Sequence, residues 1–145
     1  MAAHSDPQQR PRALLTGGSG FTGHYVAECL QTMGYQVVGL SDHTTRTDVD
    51  SVHVNLADKL AVRDAVARIQ PRAVVHLAAI SFVAHTNVDE IYRVNIVGTR
   101  NLLEALAELP SPPQVVVLAS SANIYGNATV EPITEAVPPA PTNDY

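Results

Sequence analysis

The residues best suited to chemistry are the glycines of the segment LLTGGSGFTGHYV. Gly18, Gly20 and Gly23 stand as G-x-G-x-x-G, while Gly17, Gly20 and Gly23 stand as G-x-x-G-x-x-G. A tight turn from strand to helix needs a residue that tolerates positive φ. A diphosphate needs backbone N–H groups with no side chain in the way. The partial positive charge at the start of the following helix favours the same anion. Alone such a turn says little, because glycine-rich turns are common. Here it follows an apolar strand, opens a helix and precedes a second strand that ends near an acidic residue, and this context predicts dinucleotide binding. Gly17, Gly20, Phe21, Thr22 and Gly23 are the expected contacts.

That second strand runs into Leu40, Ser41 and Asp42, with Arg46 slightly later. A carboxylate at this place bonds the ribose hydroxyls and repels a 2′-phosphate, whereas arginine does the reverse. Asp42 therefore favours NAD(H), and Ser41 with Arg46 keeps NADP(H) open. Other chemistries find little support. The six histidines (His4, His24, His43, His53, His76 and His85) show no H-x-x-x-H spacing and no cysteine pairing, so no metal site is expected. No G-x-S-x-G occurs, which argues against a serine hydrolase elbow. His76 reads as a satisfied residue at a strand end.

The elements that must position these residues follow from the apolar pattern. Arg12 to Thr16 reads as a short apolar strand. From Gly20 to Met33, Phe21, Val26, Cys29 and Leu30 recur at helical spacing, and Gly34 closes the helix as a C′ glycine. Cys29 is expected to be a small core residue. Gln36 to Leu40 is a second strand and Ser51 to Leu56 a third. Asp58 is placed to cap a helix through Ile69, with Leu60, Val62, Ala65, Val66 and Ile69 facing inward and Pro71 just past its end. Ala73 to Leu77 is a fourth strand, a helix covers about 88 to 109, and Gln114 to Ala119 is a fifth strand.

Strands that are apolar throughout, with no alternation, are buried on both faces, which is the habit of parallel sheets under helices. Right-handed crossovers then give a doubly wound α/β sheet, the Rossmann fold, in strand order 3-2-1-4-5 with a crevice between the first and fourth strands. Residues 1–11 are expected to be a mobile leader and 12–145 the nucleotide-binding domain.

Bulk properties are compatible with this reading. Of 145 residues, 46% are hydrophobic and 16% charged, enough apolar material for a core and unlike a disordered chain. A net charge of −5 gives no support for nucleic-acid or anionic-membrane binding. The N-terminus lacks the apolar run of a signal peptide, and no stretch approaches the roughly 20 apolar residues of a membrane span. One cysteine excludes an intrachain disulfide framework, and a cytoplasmic location is expected.

Four ordered segments carry a resemblance: TGGSGFTG, HLAA, YRVNIVGTRNLLEAL and ASSANIYG. Together they resemble the extended short-chain dehydrogenase/reductase family, in its NAD-dependent epimerase/dehydratase branch acting on nucleotide sugars. The resemblance spans 12–145. It implies that Leu77, Ala78 and Ala79 line the nicotinamide side of the crevice, that Asn55 and Leu56 touch adenine, that residues 81–83 begin a substrate-facing loop, and that Ser81, Phe82 and Asn123 bind the substrate. Asn95 matches a helix asparagine that supports a proton-relay water, and Ser121 (with Ser120 as the alternative) matches a hydroxyl that bonds the reacting oxygen. Tyr145 matches the catalytic tyrosine. A phenol is a poor base at neutral pH, and a nearby lysine and an oxidised nicotinamide would favour its phenolate.

The family places that lysine four residues after the tyrosine, and Tyr145 is the last residue here. The last strands of the sheet and the C-terminal substrate domain are likewise missing from the pattern, so the 145-residue chain alone is expected to be inactive. The dehydratases carry an acidic pair after the serine or threonine position, where this sequence has Ala122 and Asn123. That leaves a 4-keto-6-deoxy nucleotide-sugar reductase, resembling GDP-4-keto-6-deoxy-mannose reductases, or a nucleotide-sugar 4-epimerase. A homodimer is implied for the full-length protein. From other classes, a non-catalytic dinucleotide-binding module and an inactive fragment stay open.

Overall fold

Five parallel strands organise the chain in a computed structural model that describes residues 10–42, 49–81, 87–143 and 145. They are β1 (Arg12–Thr16), β2 (Gln36–Ser41), β3 (Asp50–His53), β4 (Ala73–His76) and β5 (Val115–Leu118). Their order is β3-β2-β1-β4-β5, the doubly wound Rossmann order expected from the apolar runs. The expected leader lies almost wholly outside the described residues, as do Arg46 and Phe82.

The helices are α1 (Phe21–Thr32), α2 (Lys59–Ile69), α3 (Val88–Ile91) and α4 (Thr99–Ala107), and a π-helical stretch, Tyr92–Gly98, joins the last two. Layering explains the apolar strands. On one face Leu14, Val38, Leu40 and Val74 pack against Val62, Ala65, Val66 and Ile69 of α2 and Leu102, Ala105 and Leu106 of α4. On the other face Leu15 and Val37 pack against Ala27, Val26 and Leu30 of α1. Each fully buried leucine or valine contributes about 1.5–3 kcal/mol relative to exposure.

The helix ends follow local chemistry. Asp58 caps α2 by accepting the Ala61 amide at 3.1 Å, worth about 1 kcal/mol. Gly34 at φ +90° ends α1, with its amide on the Gln31 carbonyl and the Tyr35 amide on that of Leu30, a Schellman arrangement. Lys59 and Arg100 both reach Glu104 at 2.7 Å, tying α2 to α4.

Several expectations need correction. Cys29 is exposed, not core, and Phe21 is 82% exposed. The face of α1 that meets the sheet carries the small residues Gly23 and Ala27, so the positions four apart (Phe21, Tyr25, Cys29) turn outward. Leu60, expected inward, is exposed in the first turn of α2. The third strand is Asp50–His53 instead of 51–56: β2 ends at Ser41, so pairing stops and Asn55 turns the chain by accepting the Ala57 amide at 2.8 Å. The helix over 88–109 is not uniform, because the π stretch interrupts it. Among the described residues no helix is long and apolar enough to cross a membrane.

Candidate functional site

The glycine turn joins β1 to α1, and its three key glycines are constrained differently. Gly17 has φ +71°, and a Cβ there would lie 2.7 Å from the Ala78 amide nitrogen. A Cβ at Gly23 would strike the Gly17 carbonyl oxygen and the Gly18 backbone. Both are therefore demanded by the fold itself. Gly20 differs: a Cβ would meet only the Gly17 oxygen, at 3.4 Å, an ordinary contact. Gly20 is the N-cap of α1 with extended backbone, and no side chain caps the first amides of that helix. This cradle fits the diphosphate of a dinucleotide.

Beside the turn lies a cleft of about 300 Å³. Gly17 and Ser19 form its floor. Ser41 and Asp42 come from the end of β2, Asn55 and Leu56 from the loop after β3, and Ala78 and Ala79 from the loop after β4. Ile80, Glu90 and Val94 also line it. A second cavity of about 340 Å³ brings together Ser81, Asn95, Ser120, Ser121 and Tyr145, and it shares Ala78 and Ala79 with the first. Leu77, expected at the cofactor, lines this second cavity and not the cleft.

Ser121 caps a 3-10 turn, Ala122–Tyr125, by accepting the Asn123 amide at 3.1 Å. Accepting that bond leaves the serine proton for another acceptor. Asn123 meets the site through this amide and does not line the cavity. The Asn95 side chain is a clamp: its Oδ1 accepts the Ile80 amide at 2.8 Å and its Nδ2 donates to the Ile80 carbonyl at 3.1 Å. Phe21 packs its exposed ring on Tyr25 at 5.2 Å, and its side chain lines neither cavity.

Tyr145 reaches the cavity through the proline-rich segment, which is fastened to the 3-10 turn. The Ala140 amide donates to the Ile124 carbonyl at 2.7 Å. Gly126, at φ +55° and ψ −128°, sits under that crossing, where a Cβ would strike the Ala140 carbonyl oxygen. Gly126→Ala is expected to lower stability by about 1–3 kcal/mol, read from the denaturant midpoint of the full-length protein.

The geometry can be set beside known proteins. A profile of the NAD dependent epimerase/dehydratase family matches residues 13–145. The chain belongs to that family. Among relatives of the epimerase/dehydratase family, a GDP-6-deoxy-D-talose 4-dehydrogenase of Aggregatibacter actinomycetemcomitans is 32% identical over 92% of this chain and 43% of its own. A UDP-glucose 4-epimerase of Bacillus subtilis is 30% identical over 91% and 43%. Among solved structures, a candidate epimerase from Burkholderia cenocepacia superposes with a TM-score of 0.83 at 48% identity, over 93% of this chain and 45% of that one. The Thermus thermophilus UDP-glucose 4-epimerase complex with NAD gives 0.81 at 33%, over 92% and 46%. The chain spans less than half the length of these relatives.

Glu90 and Val94, four residues apart on the helical segment, and the hydroxyls of Thr16 and Thr99 belong to the site without standing out in the sequence. Thr16 precedes the glycine turn and Thr99 lies four residues after Asn95, so spacing held a signal for each.

Proposed function

We propose that this chain is the dinucleotide-binding part of an enzyme that moves a hydride at C4 of a nucleotide sugar. Reduction of a 4-keto-6-deoxy nucleotide sugar is the first reading. One observation carries it: Ala78 and Ala79 form a wall common to the dinucleotide cleft and to the cavity holding Ser121 and Tyr145. Ala78 and Ala79 would hold a nicotinamide, which would supply or accept the hydride. Ser121 gives its hydroxyl proton as a hydrogen bond to the oxygen on the reacting carbon. Tyr145 exchanges the proton of that same oxygen, donating when a ketone is reduced and accepting when an alcohol is oxidised. Small residues at 78 and 79 let the reacting carbon approach.

NAD(H) is the proposed cofactor. Two carboxylates, Asp42 and Glu90, line the cleft with Ser41, and negative charge there disfavours a 2′-phosphate. Ala122 and Asn123 supply no acid–base pair of the kind a dehydration needs. The exposed Tyr92 and Leu103, on the 92–107 helical segment, support pairing of two copies. Several relatives are UDP-glucose 4-epimerases, which favours a second reading, a 4-epimerase.

Titration of the full-length protein with NADH and NADPH, followed by product analysis with GDP- and UDP-linked sugars, tests these readings. A reductase consumes one NADH per sugar reduced. An epimerase interconverts C4 epimers with no net change in nicotinamide. Failure to bind either dinucleotide would sink both.

A further inference from the structure

His76 lies at the end of β4, only 5% exposed, and both its ring nitrogens are engaged. Nδ1 is 2.6 Å from the Thr16 hydroxyl and Nε2 is 2.8 Å from the Thr99 hydroxyl. The proton positions follow from counting. Thr99 directs its one hydroxyl proton to the Asn95 carbonyl, at 2.6 Å. It must then accept from His76, so Nε2 carries hydrogen. In a neutral ring Nδ1 is the acceptor, and the Thr16 proton points to it. The Thr16 oxygen in turn accepts the Ala78 amide at 3.1 Å. The bonds thus run in one direction, from the Ala78 amide through Thr16, His76 and Thr99 to the Asn95 carbonyl. Burial holds the ring below its ordinary basicity, in keeping with a neutral imidazole.

The two ends of this chain of bonds converge. Thr16 holds Ala78, and Asn95 holds both main-chain groups of Ile80. Ala78 and Ala79 line both the cleft and the second cavity, and Ile80 next to them lines the cleft. We propose that His76, as a neutral Nε2–H tautomer, is a positioning residue that fixes the 78–80 wall from both ends and so sets where the two cavities meet. His76 and Thr99 line the second cavity and not the dinucleotide cleft, so an effect on dinucleotide affinity must pass through the wall. The assignment rests on the functional reading above, since its consequence is read in dinucleotide binding.

The test uses Thr99→Val, which is nearly isosteric but neither accepts from His76 nor donates to Asn95, and Thr99→Ser, which does both. In the full-length protein, ¹⁵N spectra of the imidazole should show a single Nε2–H tautomer. Thr99→Val should release that tautomer and raise the Kd for NADH about ten-fold, the consequence of one net hydrogen bond. Thr99→Ser should restore both. A wild-type ring protonated on Nδ1, or mixed, overturns the proposal. Wild-type binding that Thr99→Val leaves unchanged overturns the positioning role alone, whatever happens to unfolding temperature. Wild-type protein that binds neither dinucleotide overturns the functional reading and the positioning role with it.

Discussion

Gly20→Ser should cost the full-length protein about 100-fold in NADH affinity while leaving its unfolding temperature unchanged or slightly higher. The two effects have opposite signs because they arise from the same amides. Serine suits an N-cap with extended backbone, and Gly20 has φ −76° and ψ 168°. Its oxygen would accept an amide of the first turn, adding a few tenths of a kcal/mol to the helix. The space exists, because a Cβ at Gly20 meets only the Gly17 oxygen at 3.4 Å. A diphosphate needs those same amides, and each charge-assisted bond is worth about 1.5–3 kcal/mol. Losing one such bond, plus crowding, accounts for the two orders of magnitude. Gly23→Ala is the contrast. Its methyl would strike the Gly17 carbonyl and the Gly18 backbone, so stability falls together with binding. Nicotinamide fluorescence titration and thermal unfolding on the same samples separate the two cases. Undiminished affinity in Gly20→Ser would remove the diphosphate from this turn.

That contrast also shows what sequence could and could not tell. The strand order was legible because parallel strands buried on both faces are apolar without alternation: Leu14 and Leu15 point to opposite layers and both are buried. The glycine turn was legible because its context, strand before and helix after, is local. Which glycine serves the fold and which serves a ligand was not legible, since Gly17, Gly20 and Gly23 look alike until the Ala78 amide and the Gly18 backbone are seen beside them. Periodicity misread α1 because its buried face carries Gly23 and Ala27, the residues with least hydrophobic signal, while Phe21 and Cys29 face outward. Asn95 stood out as costly in a helix, yet its purpose depends on Ile80, fifteen residues away, and on a π-helical stretch that no pattern of apolar residues announces.

Tyr145→Phe should leave dinucleotide affinity within about two-fold and stability nearly unchanged, while hydride transfer to the sugar falls about 10²–10⁴-fold. Only an oxygen is removed. Tyr145 is joined to its segment through its backbone amide, which donates to the Asn143 side chain at 3.1 Å, and that bond survives the change. The ring would still occupy the cavity beside Ser121. On the proposed function, what is lost is the group that would give or take the proton of the reacting oxygen, which would leave a developing alkoxide to Ser121 alone. Ser121→Ala should act differently: it removes a hydrogen bond to that oxygen and also the acceptor for the Asn123 amide, so a small loss of stability accompanies the loss of rate. The measurement is single-turnover oxidation of NADH by a 4-keto nucleotide sugar, with dinucleotide binding titrated separately. Equal rates in wild type and Tyr145→Phe would take the phenol out of the chemistry, and the shared wall at Ala78 and Ala79 would then join the dinucleotide cleft to a cavity that merely binds.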